Sequence, residues 1–133
     1  MLRTFLRAKI HRATVTEADL EYEGSIAIDP VLLEAAGLAQ FELVDIYNIN
    51  NCTRLSTYTI VGRPGSGEIC INGAAARLVD PRDKVIICCY GQFHDNELAE
   101  HRIRVLHVND KNEITETIVK DCLDNQATAT SQA

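Results

Sequence analysis

A small β-barrel is the fold class that this sequence predicts. Short stretches rich in Val, Ile, Thr and Tyr recur along the chain. Turn-forming Gly, Pro and Asn residues separate them, and only brief helical stretches interrupt them. With 133 residues the chain fits one domain. A domain of this size buries roughly 68% of the surface its unfolded chain exposes, enough for a core without staples. The reading places a single barrel domain over residues 1–124 and leaves 125–133, polar with small residues, as a disordered tail.

The elements follow in order. Residues 2–16 hold apolar and β-branched positions without Gly or Pro and read as one or two strands. A short helix is expected over Pro30 to Ala36: Asp29 caps it, Pro30 suits the first helical position and Gly37 suits the stop. Val44 to Asn50 reads as a strand, Asn50-Asn51-Cys52-Thr53 as a hairpin turn, and Leu55 to Val61 as the return strand. Gly65-Ser66 sits in a Pro- and Gly-rich turn. Glu68 to Ile71 is a short strand, broken by Asn72-Gly73, and Ala74-Ala75-Ala76 begins a helical turn. Val85 to Tyr90 is a continuous apolar run, expected to be a strand buried on both faces. Asp95 to His101 reads as a further helical turn, Ile103 to Val108 as a strand and Asn109 to Asn112 as a turn.

Composition narrows the classes of function. No apolar run approaches the ~20 residues that a membrane-spanning helix needs. The five cysteines, Cys52, Cys70, Cys88, Cys89 and Cys122, are odd in number and include no Cys-x-x-Cys, which fits reduced, mostly buried thiols in the cytoplasm. The four histidines show no metal-ligand spacing, so no metal is expected. Net charge is −6 at pH 7, yet Arg3, Arg7, Lys9 and Arg12 crowd into the first twelve residues without a carboxylate. A basic patch on an acidic protein points to a local anion site rather than to nucleic acid. A solvated strand face and an Arg-rich presequence are the other readings.

Gly24-Ser25, in the run Tyr22-Glu23-Gly24-Ser25-Ile26-Ala27-Ile28, is the most telling dipeptide. A serine hydroxyl can attack the carbonyl of a preceding glycine, where no side chain blocks the approach. The peptide bond becomes an ester, and β-elimination then splits the chain and leaves an α-keto acyl group at residue 25. That group is an electrophile which no ordinary side chain supplies.

Three separated blocks together resemble the pyruvoyl-dependent aspartate 1-decarboxylase family. The first holds Arg3-Thr4, Lys9-Ile10-His11-Arg12, Val15-Thr16, Ala18-Asp19-Leu20 and Tyr22 through Ser25. The second is Asn51 through Arg54 with Ser56-Thr57-Tyr58. The third is Gly65-Ser66-Gly67 with Asn72-Gly73-Ala74-Ala75-Ala76. The likeness covers roughly residues 1 to 120. It implies a double-psi β-barrel with short helices, assembled as a homotetramer. It further implies cleavage into pieces 1–24 and 25–133, with a covalent pyruvoyl group made from Ser25 and no pyridoxal phosphate. The implied reaction converts L-aspartate to β-alanine and carbon dioxide for pantothenate and coenzyme A synthesis, and a helper protein for maturation is left open. Two departures stand out. Cys52 replaces a common turn glycine, and Tyr47 replaces a common tryptophan, expected to alter core volume.

Decarboxylation leaves electrons on the α-carbon, and a carbonyl condensed with the substrate amine takes them up. The resemblance then distributes roles. Gly24, Ser25 and Thr57 are assigned to maturation, with the Thr57 hydroxyl donating to the oxyanion on the Gly24 carbonyl. Tyr58 is the proton donor. Arg54 grips one substrate carboxylate with two parallel hydrogen bonds and Lys9 meets the other as a point charge. Thr57, Asn72, Gly73, Ala74 and Ala75 complete the substrate contacts, and His11 and Tyr22 are further candidates. Alternation puts Thr57 and Tyr58 on opposite faces of a regular strand, so both reach one site only through an irregular strand or a subunit junction. A barrel that never cleaves and serves as a binding or assembly module is the rival reading; a serine hydrolase using Ser25 and His11 lacks the Gly-x-Ser-x-Gly elbow.

Overall fold

A computed structural model describes residues 1–123. The expected tail at 125–133 lies outside the described residues. The elements in chain order are β1 (Leu2–Thr14), β2 (Glu17–Asp19), β3 (Ser25–Ile28), α1 (Pro30–Ala36), β4 (Leu43–Asn48), β5 (Arg54–Val61), β6 (Ile69–Asn72), β7 (Lys84–His94), β8 (Arg102–Val108) and β9 (Ile114–Asp121), with 3-10 turns at Gly73–Leu78 and Asp95–Glu97. They form one mixed ladder ordered β2-β6-β3-β5-β4-β7-β1-β8-β9. The pairs β1–β8, β2–β6 and β3–β5 are parallel and the rest antiparallel.

The ends of this ladder do not pair with each other. The chain itself joins β1 to β2 through Val15 and Thr16, whose amides bond to the Asp83 and Ile69 carbonyls. The strands from β2 to β1 thus run round a core, and β8 and β9 extend from β1 as an added hairpin. This mainly β architecture, with a mixed sheet and few short helices, is the one expected for a double-psi β-barrel. Ile10, Ile26, Ile28, Ile46, Ile69 and Ile71 are wholly buried at its centre. Each contributes about 1.5–3 kcal/mol relative to an exposed side chain. Among the described residues no helix is long and apolar enough to cross a membrane.

Helix α1 forms as its sequence dictates. The Asp29 carboxylate accepts from the Val31 amide at 2.9 Å, Pro30 opens the helix and Gly37 closes it at φ 73°. Asp29 does more than cap: it also accepts from the Gly65 and Gly67 amides at 3.1 and 2.8 Å. The second Gly-Ser pair, Gly65-Ser66, is therefore a turn pinned to the helix. Burial raises the Asp29 pKa, but the amides of Gly67, Val31 and Gly65 outweigh it and hold the carboxyl below its usual range.

Several elements differ from the sequence reading. Strand β7 runs to His94; its inner residues Val85, Ile87 and Cys89 face the core, and on the outer face Cys88 is buried whereas Tyr90 is exposed. An apolar run reports burial without saying on how many faces. Strand β9 was not anticipated, because Ile114–Asp121 carries only scattered apolar residues and owes its extension to pairing with β8. Strand β2 has three residues and depends on β6. The helical turn expected over Asp95 to His101 spans only Asp95–Glu97. Of the basic N-terminal residues, Arg3 pairs with Asp95 at 2.7 Å and Arg7 with Glu42. Tyr47 is half-buried outside the core. All five cysteines are free, and all but Cys52 are buried.

Candidate active site

Ser25 opens β3 with 1% of its surface exposed, while Gly24 before it is open to solvent. Antiparallel register sets Ser25 opposite Asn72, the last residue of β6. The Asn72 Nδ2 donates to Ser25 Oγ at 3.0 Å, wholly buried. Gly73 follows at φ 71°, and a Cβ built there would stand 2.8 Å from both Cα and N of Gly24. The two main chains touch because residue 73 has no side chain and can adopt the left-handed conformation. The 3-10 turn beginning at Gly73 carries Ala74, exposed, and Ala75, half-buried.

Strand β5 supplies the next residues. Its first half pairs with β4, setting Thr57 opposite Val44 and Tyr58 opposite Leu43. Its second half pairs in parallel with β3, setting Thr59 beside Ile26. Carried back along both strands, that register puts Tyr58 level with Ser25 and Thr57 level with Gly24. The strand is regular here, so the two side chains diverge: Thr57 shares the inner face with Val44, whereas Tyr58 is 39% exposed. Phe41 flanks Tyr58, with ring centroids 6.4 Å apart.

Arg54 lies four residues from Tyr58 on the same outer face of β5, about 13 Å along the strand. Its guanidinium stacks 4.3 Å from the Tyr47 ring centroid, and the Tyr47 and Tyr90 hydroxyls share a hydrogen bond of 3.0 Å. The Tyr47 departure thus bears on a candidate binding residue rather than on core volume. Lys9 belongs to the same outer face, in a row through Cys88, Asp45 and Ser56. It also lines a cavity of about 400 Å³ with His11, His107 and Lys120. The His11 pKa is lowered by burial first and then by Lys9, His107 and Arg12, and its Nδ1 has no partner among the described residues. The two imidazole centroids lie 5.1 Å apart.

Tyr22, Ala27, Cys70 and Asn72 line a cavity of about 450 Å³. Of the residues marked by the sequence, Gly24, Ser25, Asn72 and Gly73 are in contact, and Tyr58, Thr57 and Tyr22 are close by in register or lining. Lys9, His11 and Arg54 sit apart, further along the outer face. Sequence reasoning missed Cys70, Tyr90 and the contact role of Tyr47. The alternation in Cys70-Ile71-Asn72 was the available signal for Cys70, since it puts the thiol on the face of Asn72. Among the described residues no group of three or more His, Cys, Asp or Glu is arranged to hold a metal.

Known proteins share this sequence along most of its length. Residues 1–115 match the family described as aspartate decarboxylase. The chain is 52% identical over 118 residues to the aspartate 1-decarboxylase of Salinibacter ruber, covering 89% of this chain and 81% of that protein. It is 53% identical over 116 residues to that of Cupriavidus necator, covering 87% and 97%. It is 54% identical over 116 residues to that of Clostridium beijerinckii, covering 87% and 94%. With the match running from the first residue to the start of β9 and including every candidate site residue, the chain belongs to the aspartate decarboxylase family.

Proposed function

We propose that this chain is a self-processing decarboxylase that converts L-aspartate to β-alanine and carbon dioxide in the cytoplasm, within pantothenate biosynthesis. The observation that carries the reading is the Gly24–Ser25 junction. A buried serine hydroxyl receives the Asn72 amide, beside a glycine held against the Gly73 backbone, in a chain more than half identical to proteins named for this activity.

In maturation, Ser25 Oγ bonds to the Gly24 carbonyl carbon and the Gly24–Ser25 C–N bond breaks. The hydroxyl proton ends on the freed Ser25 nitrogen. Loss of the Ser25 α-proton then breaks the Cβ–Oγ bond and releases residues 1–24 with a carboxylate; water replaces the nitrogen, which leaves as ammonia. The surroundings fit the pyruvoyl product: Asn72 offers a donor, and Gly73 adds no side chain at the cut. Thr57, level with Gly24, is assigned to the oxyanion there. Once formed, the pyruvoyl group supplies a carbonyl that takes up the electrons left when carbon dioxide departs. Tyr58, level with residue 25, returns a proton to the α-carbon. Asn72, Gly73, Ala74 and Ala75 hold the reacting end of the substrate.

Arg54 and Lys9 bind its carboxylates, but about 13 Å of strand separates Arg54 from Tyr58. A homotetramer in which the outer face of one copy supplies Arg54, Lys9 and the neighbouring His11 to residue 25 of another removes that gap. For Thr57 and Tyr58, whose side chains diverge along a regular β5, the same assembly supports the subunit junction over an irregular strand. Buried free thiols suit a reducing compartment.

Denaturing intact-mass analysis of the purified chain, with an assay for β-alanine, tests the reading. Pieces 1–24 and a modified 25–133, with activity rising in step, are expected. A persistent single species without activity overturns it in favour of the non-cleaving module. Cleavage that needs cell extract calls for a helper protein.

A further inference from the structure

We propose that Cys70 is a positioning residue for self-cleavage: its thiol donates to Asn72 Oδ1 and thereby turns the Asn72 amide nitrogen onto Ser25 Oγ. The inference rests on the self-processing reading and names a residue which that reading does not use. The three side chains lie on one face of the β3–β6 pair, Ser25 opposite Asn72 and Ala27 opposite Cys70. Cys70 Sγ stands 3.2 Å from Asn72 Oδ1, and Asn72 Nδ2 stands 3.0 Å from Ser25 Oγ. Exposure is 5% at Cys70, 4% at Asn72 and 1% at Ser25, so water does not compete strongly for either bond.

An amide side chain can be turned end for end, and only its partners decide which end faces which group. A thiol holding its proton is a donor and a poor acceptor, so the oxygen of Asn72 belongs on its side. Burial, reinforced by Glu17, Glu68 and Asp19, pushes the Cys70 pKa up to about 11, and at neutral pH the proton stays on sulfur. The amide nitrogen is then left to face Ser25. That direction matters for the chemistry. A donor at Oγ stabilises the negative charge that grows there as the hydroxyl proton leaves for the Ser25 nitrogen. The reversed amide would offer Oγ a carbonyl oxygen, which holds the proton and repels the forming alkoxide. Cys70 touches none of the reacting atoms and is no nucleophile; it acts only through Asn72.

Full-length chains carrying Cys70→Ser, Cys70→Ala and Cys70→Val are purified and followed by denaturing intact mass, beside the parent chain. Ser keeps a donor, Ala removes it, and Val removes it while filling the space, so Val carries the comparison if the hole left by Ala unfolds the chain. Melting temperatures are measured in the uncleavable Ser25→Ala background. The expected result is cleavage slowed at least about tenfold by Ala and Val and restored to within about threefold of the parent by Ser. The melting temperatures of the Ala or Val chain and the Ser chain then agree within a few degrees. Cleavage of Ala or Val at the parent rate overturns the proposal, as does a Ser chain as slow as Ala at equal stability. A parent chain that never cleaves overturns the self-processing reading and this inference with it, an outcome distinct from uniform cleavage in all variants.

Discussion

The Arg54 guanidinium lies 4.3 Å from the centre of the Tyr47 ring, and Tyr47 is in turn hydrogen-bonded to Tyr90 at 3.0 Å. An exposed cation–π contact of this kind contributes about 0.5–1 kcal/mol. Tyr47→Ala is therefore expected to raise the KM for aspartate about two- to fivefold, while Tyr47→Trp retains the parent value. Steady-state kinetics on fully cleaved enzyme check this; an unchanged KM in Tyr47→Ala removes the contact from the binding account. Arg54→Ala is expected to weaken aspartate binding more than it slows cleavage. Finding that variant uncleaved moves Arg54 to maturation.

Removing the Ser25 hydroxyl separates chemistry from folding. Ser25→Ala is expected to remain a single chain by mass and to make no β-alanine, with circular dichroism and oligomeric state unchanged. Loss of the soluble assembly contradicts a purely chemical role.

Gly73 brings its backbone against Gly24, beside the proposed cut. Gly73→Ala places a methyl 2.8 Å from Gly24 and asks an L side chain to adopt φ 71°. The strain costs about 1–3 kcal/mol. Since the nearest atoms belong to residue 24, cleavage is expected to fall further than stability; parent-like cleavage kinetics in this variant would show that the contact is not needed.

Cys52 occupies the hairpin turn at φ 64°, a left-handed conformation that favours glycine, and its side chain is exposed. Cys52→Gly is expected to stabilise the fold by about 1 kcal/mol, offset in part by the entropy glycine adds to the unfolded chain. Chemical denaturation of the Ser25→Ala chain with and without the change measures it, and a lower midpoint refutes it.

Asp29 predicts an acid limit. Its pKa is held below the usual range in the folded state, so it binds protons less readily there than in the unfolded chain. The resulting stability is fully present above the unfolded value near 3.8 and is lost as pH falls through the lower folded value. Asp29→Ala is expected to cost about 1–2 kcal/mol at neutral pH. It should also flatten the loss of stability below pH 4, as read from denaturation at several pH values.

Local chemistry made much of this protein legible in advance. Helix α1 was visible to the residue because Asp29, Pro30 and Gly37 each act on neighbours within a turn. The β4–β5 hairpin and the Gly65-Ser66 turn were visible for the same reason. Strand β9 was not, because its extension comes from β8 rather than from its own alternation. The faces of β7 were also hidden, since an apolar run looks alike whether one side or both meet the core.

The site divides along the same line. The linear order of residues determined where a hydroxyl follows a glycine and which blocks resemble a known family. Tertiary structure alone decided that Gly73 touches Gly24, that Asn72 reaches Ser25 with Cys70 behind it, and that Arg54 lies far along the strand from both. The contacts of Gly73 with Gly24 and of Asn72 with Ser25 join residues nearly fifty positions apart, and they arise from antiparallel register, which burial of a whole face sets and no single segment encodes.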